Sequence, residues 1–531
     1  MAQQAITPPV RSSGFFALMR SRNYALLWAS QGISLLGDRF HWIAISLWVY
    51  ALTGSALSVS YAIIALMIGP AAVGLFAGVL VDRWNRKWTM ILADIARGIL
   101  VALIPWLMSH DIRLVYVDLF LVSCATAFFR PAMLATLPQT VAKADLLPAN
   151  SFFTAVDTGT EVVGPVLAGI LVQSQGYSAA MYVDAASYFV SAVLVALLSV
   201  AQVPARNVGF RAPSILEDFK AGLRYIRGDR LQFGLLILIF LGWWLSGFNS
   251  LQTPLAKGVL RLTDEQFGWF NGIWGSGFLI ASLLLGWYGT RLPKGRLIAV
   301  SFLGWAVATG VAGVSVNAGM LYAAVFWAGF MNIVLFVSLS TTIMEVTPPE
   351  MLGRVITARQ VALALVRVAA MLGFGFLADL SSVRLAVFSM AGVSVLGIAA
   401  GLLLFPEVGS LGSPLAAKRP PYFEARTSGA PWHFGLLLES KDLAYGTDSQ
   451  RTPNIAALFI VGTAWIGLLI RNPGPGFYIP LVVAAAVAFK LTHAAWARRR
   501  GSKNVRRGSA AVGRESKEGR RSPLATGPTP E

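Results

Sequence analysis

Gly78-Val79-Leu80-Val81-Asp82-Arg83-Trp84-Asn85-Arg86-Lys87 stands where a long apolar run meets a cluster of charge, and its reading decides the fold. One acid and three basic residues are wedged between two apolar stretches, roughly 58 to 81 and 88 to 108, each long enough to cross a hydrocarbon core about 30 Å thick. Such a turn joins two spanning helices on the basic, cytoplasmic side of a membrane. Gly78 lets helices approach closely near the membrane face. Asp82 can cap a helix start or sit in a local ion-pair network with Arg83, Arg86 and Lys87.

Composition agrees with this turn. Of 531 residues, 56% are hydrophobic and 13% charged, against about 25% charged in soluble domains. About twelve apolar stretches of about 20 residues lie between 24 and 405, and two more near 454 to 471 and 477 to 496. The expectation is an all-α membrane protein with about 14 transmembrane helices. The net charge of +18 is not a nucleic-acid footprint, because the basic residues collect in alternate loops, as the positive-inside rule requires. That alternation places both termini in the cytoplasm. The single cysteine, Cys124, excludes intrachain disulfides and Cys-cluster metal sites. No phosphate-binding glycine loop accompanies the chain, so ATP is not its direct energy source. No metal or nucleophile constellation appears either, so neither a cofactor nor an enzymatic activity is expected.

An internal repeat sets the architecture. Gly286-Trp287-Tyr288-Gly289-Thr290-Arg291-Leu292-Pro293-Lys294 echoes the opening motif, with Thr290 in place of the acid. Leu137-Pro138 answers Thr347-Pro348, and Gly164-Pro165-Val166-Leu167-Ala168-Gly169 faces Gly373-Phe374-Gly375-Phe376-Leu377-Ala378, at nearly the same separation. Two homologous six-helix bundles, 24–203 and 231–405, follow from this. A cytoplasmic leader, 1–23, precedes them and a linker, 204–230, joins them. Phe219, Leu223 and Ile226 recur at helical spacing in that linker, as in an amphipathic helix lying on the inner surface. A cytoplasmic loop, 406–453, then leads to an extra transmembrane hairpin, 454–497, broken at Asn472-Pro473-Gly474-Pro475-Gly476, and to a basic disordered tail, 498–531.

The spacing G-x-x-x-D-R-x-x-R-K resembles the signature loop of the major facilitator superfamily, with Asn85 where that family most often has glycine. Asn also tolerates the left-handed backbone conformation, so the departure is mild. Arg22-Asn23-Tyr24-Ala25-Leu26-Leu27-Trp28, Ser34-Leu35-Leu36-Gly37-Asp38, Leu52-Thr53-Gly54-Ser55 and Ala149-Asn150-Ser151 are similar to the drug and siderophore exporter branch, which includes macrolide-efflux and enterobactin-exporter proteins. The likeness covers residues 14 to about 405. It implies a major facilitator fold and a proton antiporter that exports hydrophobic or amphipathic small molecules. In that family Asp82 locks onto the inner end of the eleventh helix, which corresponds here to the region from Arg354 to Arg367. Gly164-Pro165 and Gly169 resemble the antiporter bend of the fifth helix.

Coupling chemistry must reside in ionisable groups inside the membrane, where an unpaired charge costs several kcal/mol. Asp38 lies near the middle of the first segment and His41 one turn later, so both can face one cavity. Asp157 and Glu161 share a face of the fifth segment, where two acids either repel or share a cation. Arg367, the repeat counterpart of Asp157, cannot lose its proton and must meet an acid, helix carbonyls or an anionic substrate. Asp94 and Arg97 read as a structural pair, and Asp118 and Asp184 as hydrated near the outer face. Phe128-Phe129, Trp243-Trp244 and Trp269-Phe270 with Trp274 read as lipid-facing packing or as a cavity lining.

The sequence therefore describes a multi-pass protein of a bacterial inner membrane, monomeric, whose partners are a small-molecule substrate, protons and lipid, with no nucleic acid. Uptake by the same fold, or a membrane scaffold that moves nothing, are the alternatives.

Overall fold

The computed structural model describes residues 15–200, 212–288, 292–409 and 411. The chain divides into one unit, Met1–Asn472, and a second, Pro473–Glu531, which lies wholly outside the described residues. The expected hairpin 454–497 and tail 498–531 therefore fall outside them, as do all of the 406–453 loop beyond its first residues and most of the leader.

Helices account for nearly everything described. A short α1 (Phe15–Met19) precedes α2 (Arg22–Thr53), α3 (Ala56–Arg83), α4 (Arg86–Met108), α5 (Ile112–Thr136), α6 (Leu146–Gln175) and α7 (Tyr177–Ala196). The linker forms α8 (Ala212–Gly228). The next span is broken into α9 (Arg230–Gly242), a 3-10 stretch (Trp243–Gly247), α10 (Phe248–Thr253) and a π stretch (Pro254–Val259). Then come α11 (Asp264–Tyr288), α12 (Lys294–Val314), α13 (Ala318–Val346), α14 (Pro349–Leu380) and α15 (Val383–Leu404). Eleven helices or helix runs among the described residues are long and apolar enough to cross a membrane. To these α2 adds 32 residues of membrane length, with Asp38, Arg39 and His41 in mid-course.

Short polar caps turn the chain at the helix ends. Gly54, at φ 61°, closes α2 by donating its N–H to the Tyr50 carbonyl at 2.8 Å, a left-handed conformation that suits glycine. Ser55, Asp111, Asn317 and Ser382 each accept a backbone N–H from the first turn of the helix that follows. Asn85 does the same for α4, taking the N–H groups of Lys87 and Trp88, with φ −65° and ψ 110°. The left-handed backbone that asparagine tolerates is not used at Asn85. Capping wins because the side-chain oxygen satisfies orphan donors that a left-handed turn would leave open.

The cations of the opening motif staple neighbouring helix ends. Arg86 Nη1 donates to the Ala135 carbonyl at 3.0 Å and Lys87 Nζ to the Leu198 carbonyl at 2.8 Å. Both acceptors lie at or just beyond the C-terminal ends of α5 and α7, where the helix dipole favours positive charge.

In the first group α2 packs on α6 and α7, α3 on α5, and α4 on α5 and α7; in the second α12 packs on α13 and α15, α11 on α13, and α9 on α15. The groups meet through α6 against α11 and α3 against α14. Outward faces are apolar, with Leu92, Trp287 and Leu365 exposed, while Asp94 and Asp184 are wholly buried. A surface of this kind is matched to lipid, which asks for no polar face.

Candidate functional site

Arg39 leaves the middle of α2 toward α6, where its Nη2 lies 3.1 Å from Asp157 Oδ1 and 3.2 Å from Glu161 Oε1. The two acids share a cation, one of the two outcomes open to carboxylates at i and i+4. Gly164, seven residues after Asp157, makes room for the arginine: a Cβ there would stand 2.7 Å from Arg39 Cβ and Cγ. The glycine of the Gly164-Pro165 bend thus seats the aliphatic stem of the cation. Asp157 remains 49% and Glu161 33% exposed, so this cluster is reachable by water or substrate. One cation against two carboxylates leaves a surplus negative charge, so one acid can take a proton while the other still pairs Arg39.

Next to Arg39, the neighbouring residues of α2 turn the other way, into the packing against α7. Tyr188 donates its hydroxyl to Asp38 Oδ1 at 2.5 Å. The Arg97 guanidinium lies over the Tyr188 ring at 4.3 Å and the Phe129 ring at 4.6 Å, and it is ion-paired to Asp94. Ser191 Oγ donates to the other oxygen of Asp94 at 2.7 Å. His41 Nδ1 is 3.0 Å from Asp184 Oδ2. Gly37 permits this approach, since a Cβ there would fall 2.5 Å from Asp184 Oδ1 and closer still to Ser187 Oγ.

Two expectations change here. Asp38 and His41 each engage α7, not one common cavity, while Arg39 goes to α6. Asp118 and Asp184 are buried, at 4% and 0% exposure, and not hydrated at an outer face. Helical periodicity gives the face of its own helix on which an acid lies but not what packs against that face.

Arg367 is half-buried on α14, and its Nε has no hydrogen-bond partner. Arg359, two turns earlier, is 8% exposed with the same orphan atom. Arg354 is exposed, and its carbonyl abuts α8, where a Cβ on Gly222 would stand 2.5 Å away. The side chains of Gly78 and Asp82 lie outside the described residues, and so does the contact expected between Asp82 and this region. Of the aromatic candidates, Trp243 is buried edge-on against Trp305 at 5.6 Å and Trp274 stacks on Phe248 at 6.3 Å, so both belong to helix packing in the second group.

One element of the site escaped sequence reasoning. Gly268, Gly272 and Gly275 of α11 face Pro165, Gly169, Val162 and Glu161 of α6, and a Cβ on Gly268 would fall 2.5 Å from the Pro165 carbonyl oxygen. Their spacing of four and three residues is a small-residue stripe of the kind that lets membrane helices touch. The aromatic residues between them drew attention instead.

The Major Facilitator Superfamily profile matches residues 27–262 and 233–498. An uncharacterized MFS-type transporter, YfiS, of Bacillus subtilis is 28% identical over 372 residues, 68% of this chain and 88% of that protein. Macrolide efflux protein A of Streptococcus pyogenes is 27% identical over 49% of this chain and 65% of its own length. A putative bacilysin exporter, BacE, of Bacillus amyloliquefaciens is 27% identical over 39% of this chain and 51% of its own. Among solved structures, the nucleoside transporter NupG superposes with a TM-score of 0.62 at 13% identity, over 72% of this chain and 99% of that one. A bacterial homolog of the human lysosomal transporter Spinster, solved in an inward-facing and unoccupied conformation, gives 0.59 at 13% identity over 74% and 99%. These likenesses at low identity establish the fold alone.

Proposed function

The chain belongs to the Major Facilitator Superfamily, and on that premise we propose that it exports hydrophobic or amphipathic small molecules, drug-, macrolide- or siderophore-like, in exchange for protons. It is a multi-pass, all-α secondary transporter of small molecules. In this proposal the protein lies in a bacterial inner membrane with both termini cytoplasmic and two six-helix bundles followed by a transmembrane hairpin.

The observation that carries the exchange mechanism is Arg39 held by both Asp157 and Glu161 beside the seat that Gly164 provides. A permanent cation and a surplus carboxylate at a partly exposed site support a cycle in which a proton and a substrate compete for the acids. The relatives whose names include efflux or exporter support the outward direction.

The test is accumulation of labelled macrolides, dyes and siderophores by everted membrane vesicles. Accumulation that collapses when nigericin removes the proton gradient is the expected result. Accumulation indifferent to the gradient, or confined to right-side-out vesicles, overturns the proton-coupled export reading.

A further inference from the structure

The interior of the first helix group holds more buried acid than its cations can neutralise. Asp94 and Asp184 are wholly buried and Asp118 is 4% exposed, while Asp38 is half-buried. Against these stand one permanent cation, Arg97, and one imidazole, His41. Arg97 is spent on Asp94, whose other oxygen takes the Ser191 hydroxyl, and Asp38 takes the Tyr188 hydroxyl. Asp184 has His41 and, at 3.4 Å, the Ser187 hydroxyl, with Arg97 within electrostatic reach, and Asp118 has His41 within electrostatic reach. Elsewhere around them α3 offers no charged side chain from Ala56 to Leu80, α5 adds the phenol of Tyr116, and the acids of α6, Asp157 and Glu161, are held by Arg39. A carboxylate without a full complement of partners in a membrane interior costs several kcal/mol.

Among the described residues of this region, His41 Nε2, Asp118 Oδ2 and Arg97 Nε are buried without a hydrogen-bond partner, and the first two are bases. His41 is 3% exposed; its Nδ1 faces Asp184, and its Nε2 makes no hydrogen bond. Asp118 Oδ2 makes none either, and Asp118 lies within electrostatic reach of His41. With Nδ1–H donated to Asp184, Nε2 carries the lone pair, so His41 Nε2 and Asp118 Oδ2 are both bases without a proton. An unpaired base buried beside another unpaired base is the arrangement that a proton relieves, by giving one of them a donor for the other.

We infer that His41, flanked by Asp184 and Asp118, is a buried proton-binding site distinct from the Arg39 cluster. Asp184 fixes the tautomer and Gly37 allows Asp184 to approach. The proton adds to His41 Nε2, giving an imidazolium between the two carboxylates, or to Asp118 Oδ2, giving a neutral acid that can donate to Nε2. This rests on the proton-coupled reading above and adds a second, drier proton-binding site to it.

The experiment uses the full-length protein, purified and reconstituted, with Asp118→Asn and His41→Gln beside the wild type. Substrate-induced proton release is followed with a pH dye, downhill substrate counterflow reports folding, and the His41 imidazole is titrated by nitrogen-15 NMR, the chain having 4 histidines. The site predicts that both variants keep counterflow and release about one proton fewer per substrate than the wild type. It also predicts that Asp118→Asn displaces the His41 titration while Glu161→Gln leaves it in place. Wild-type proton release in both variants overturns the site. If the wild type itself releases no proton, the exchange reading fails, and the NMR titration then decides the site: a His41 that does not respond to Asp118→Asn overturns it, and one that does upholds it.

Discussion

The carboxylate of Asp379, in the last turn of α14, accepts the Ser55 hydroxyl at 2.5 Å and so ties the end of α14 to the start of α3. It also accepts the N–H groups of Ala56 at 2.7 Å and Leu57 at 3.2 Å. An acid at a helix C-terminus is disfavoured by its own helix dipole, but here it meets the positive end of another helix. One turn inward, Ser60 donates to the Met371 carbonyl at 2.9 Å. This contact lies at the end of the molecule opposite the Arg86/Lys87 turn, and alternating access requires it to break.

Asp379→Ala should therefore loosen that end. Charge-assisted hydrogen bonds contribute about 1.5–3 kcal/mol each, so the separated state should gain roughly tenfold or more in population. Spin-label distances between Leu52→Cys and Ser382→Cys, in a Cys124→Ser background, should lengthen on Asp379→Ala. An unchanged distance distribution contradicts the latch.

Gly164→Val should uncouple transport without unfolding the protein. Its side chain would occupy the space of the Arg39 stem and push the guanidinium away from Asp157 and Glu161. Uphill export should fall about tenfold or more while downhill substrate exchange, which reports folded protein, is retained. Wild-type export by Gly164→Val would show that Arg39 reaches its acids by another route.

Asp38→Asn, Asp157→Asn and Glu161→Gln test which acid carries a coupling proton. A permanently neutral side chain cannot alternate between charged and neutral forms, so the coupling variant should lose uphill export and retain downhill exchange. The sign follows for pH as well: wild-type export should weaken as the external proton supply falls, and the coupling variant should be flat with pH. Loss of both activities together marks a structural acid.

Asp82→Ala should lower turnover by more than it lowers expression, as expected of a lock that operates in one state of the cycle. Turnover per molecule, measured against immunoblotted protein, checks this; unchanged turnover rules out the lock.

A reporter fused after residue 531 should read as cytoplasmic, since basic loops alternate with poor ones along the chain. A periplasmic reading would remove the expected hairpin or invert the topology.

Sequence alone determined that this is a helical, multi-pass membrane protein, because apolar length and loop charge are local properties that lipid reads directly. It also located Asp157 and Glu161 on one face, since helical periodicity is short-range. Tertiary structure decided which partner each buried charge meets. Arg39 and Asp38 are adjacent in sequence yet point to α6 and α7, and Asp184 is brought to His41 only because Gly37 admits it. Asp379 could not be read as a latch from its own helix, since the N-terminus it caps lies 323 residues away along the chain. In a membrane an unpaired charge is so costly that pairing is obligatory, but the choice of partner belongs to the packing of distant helices.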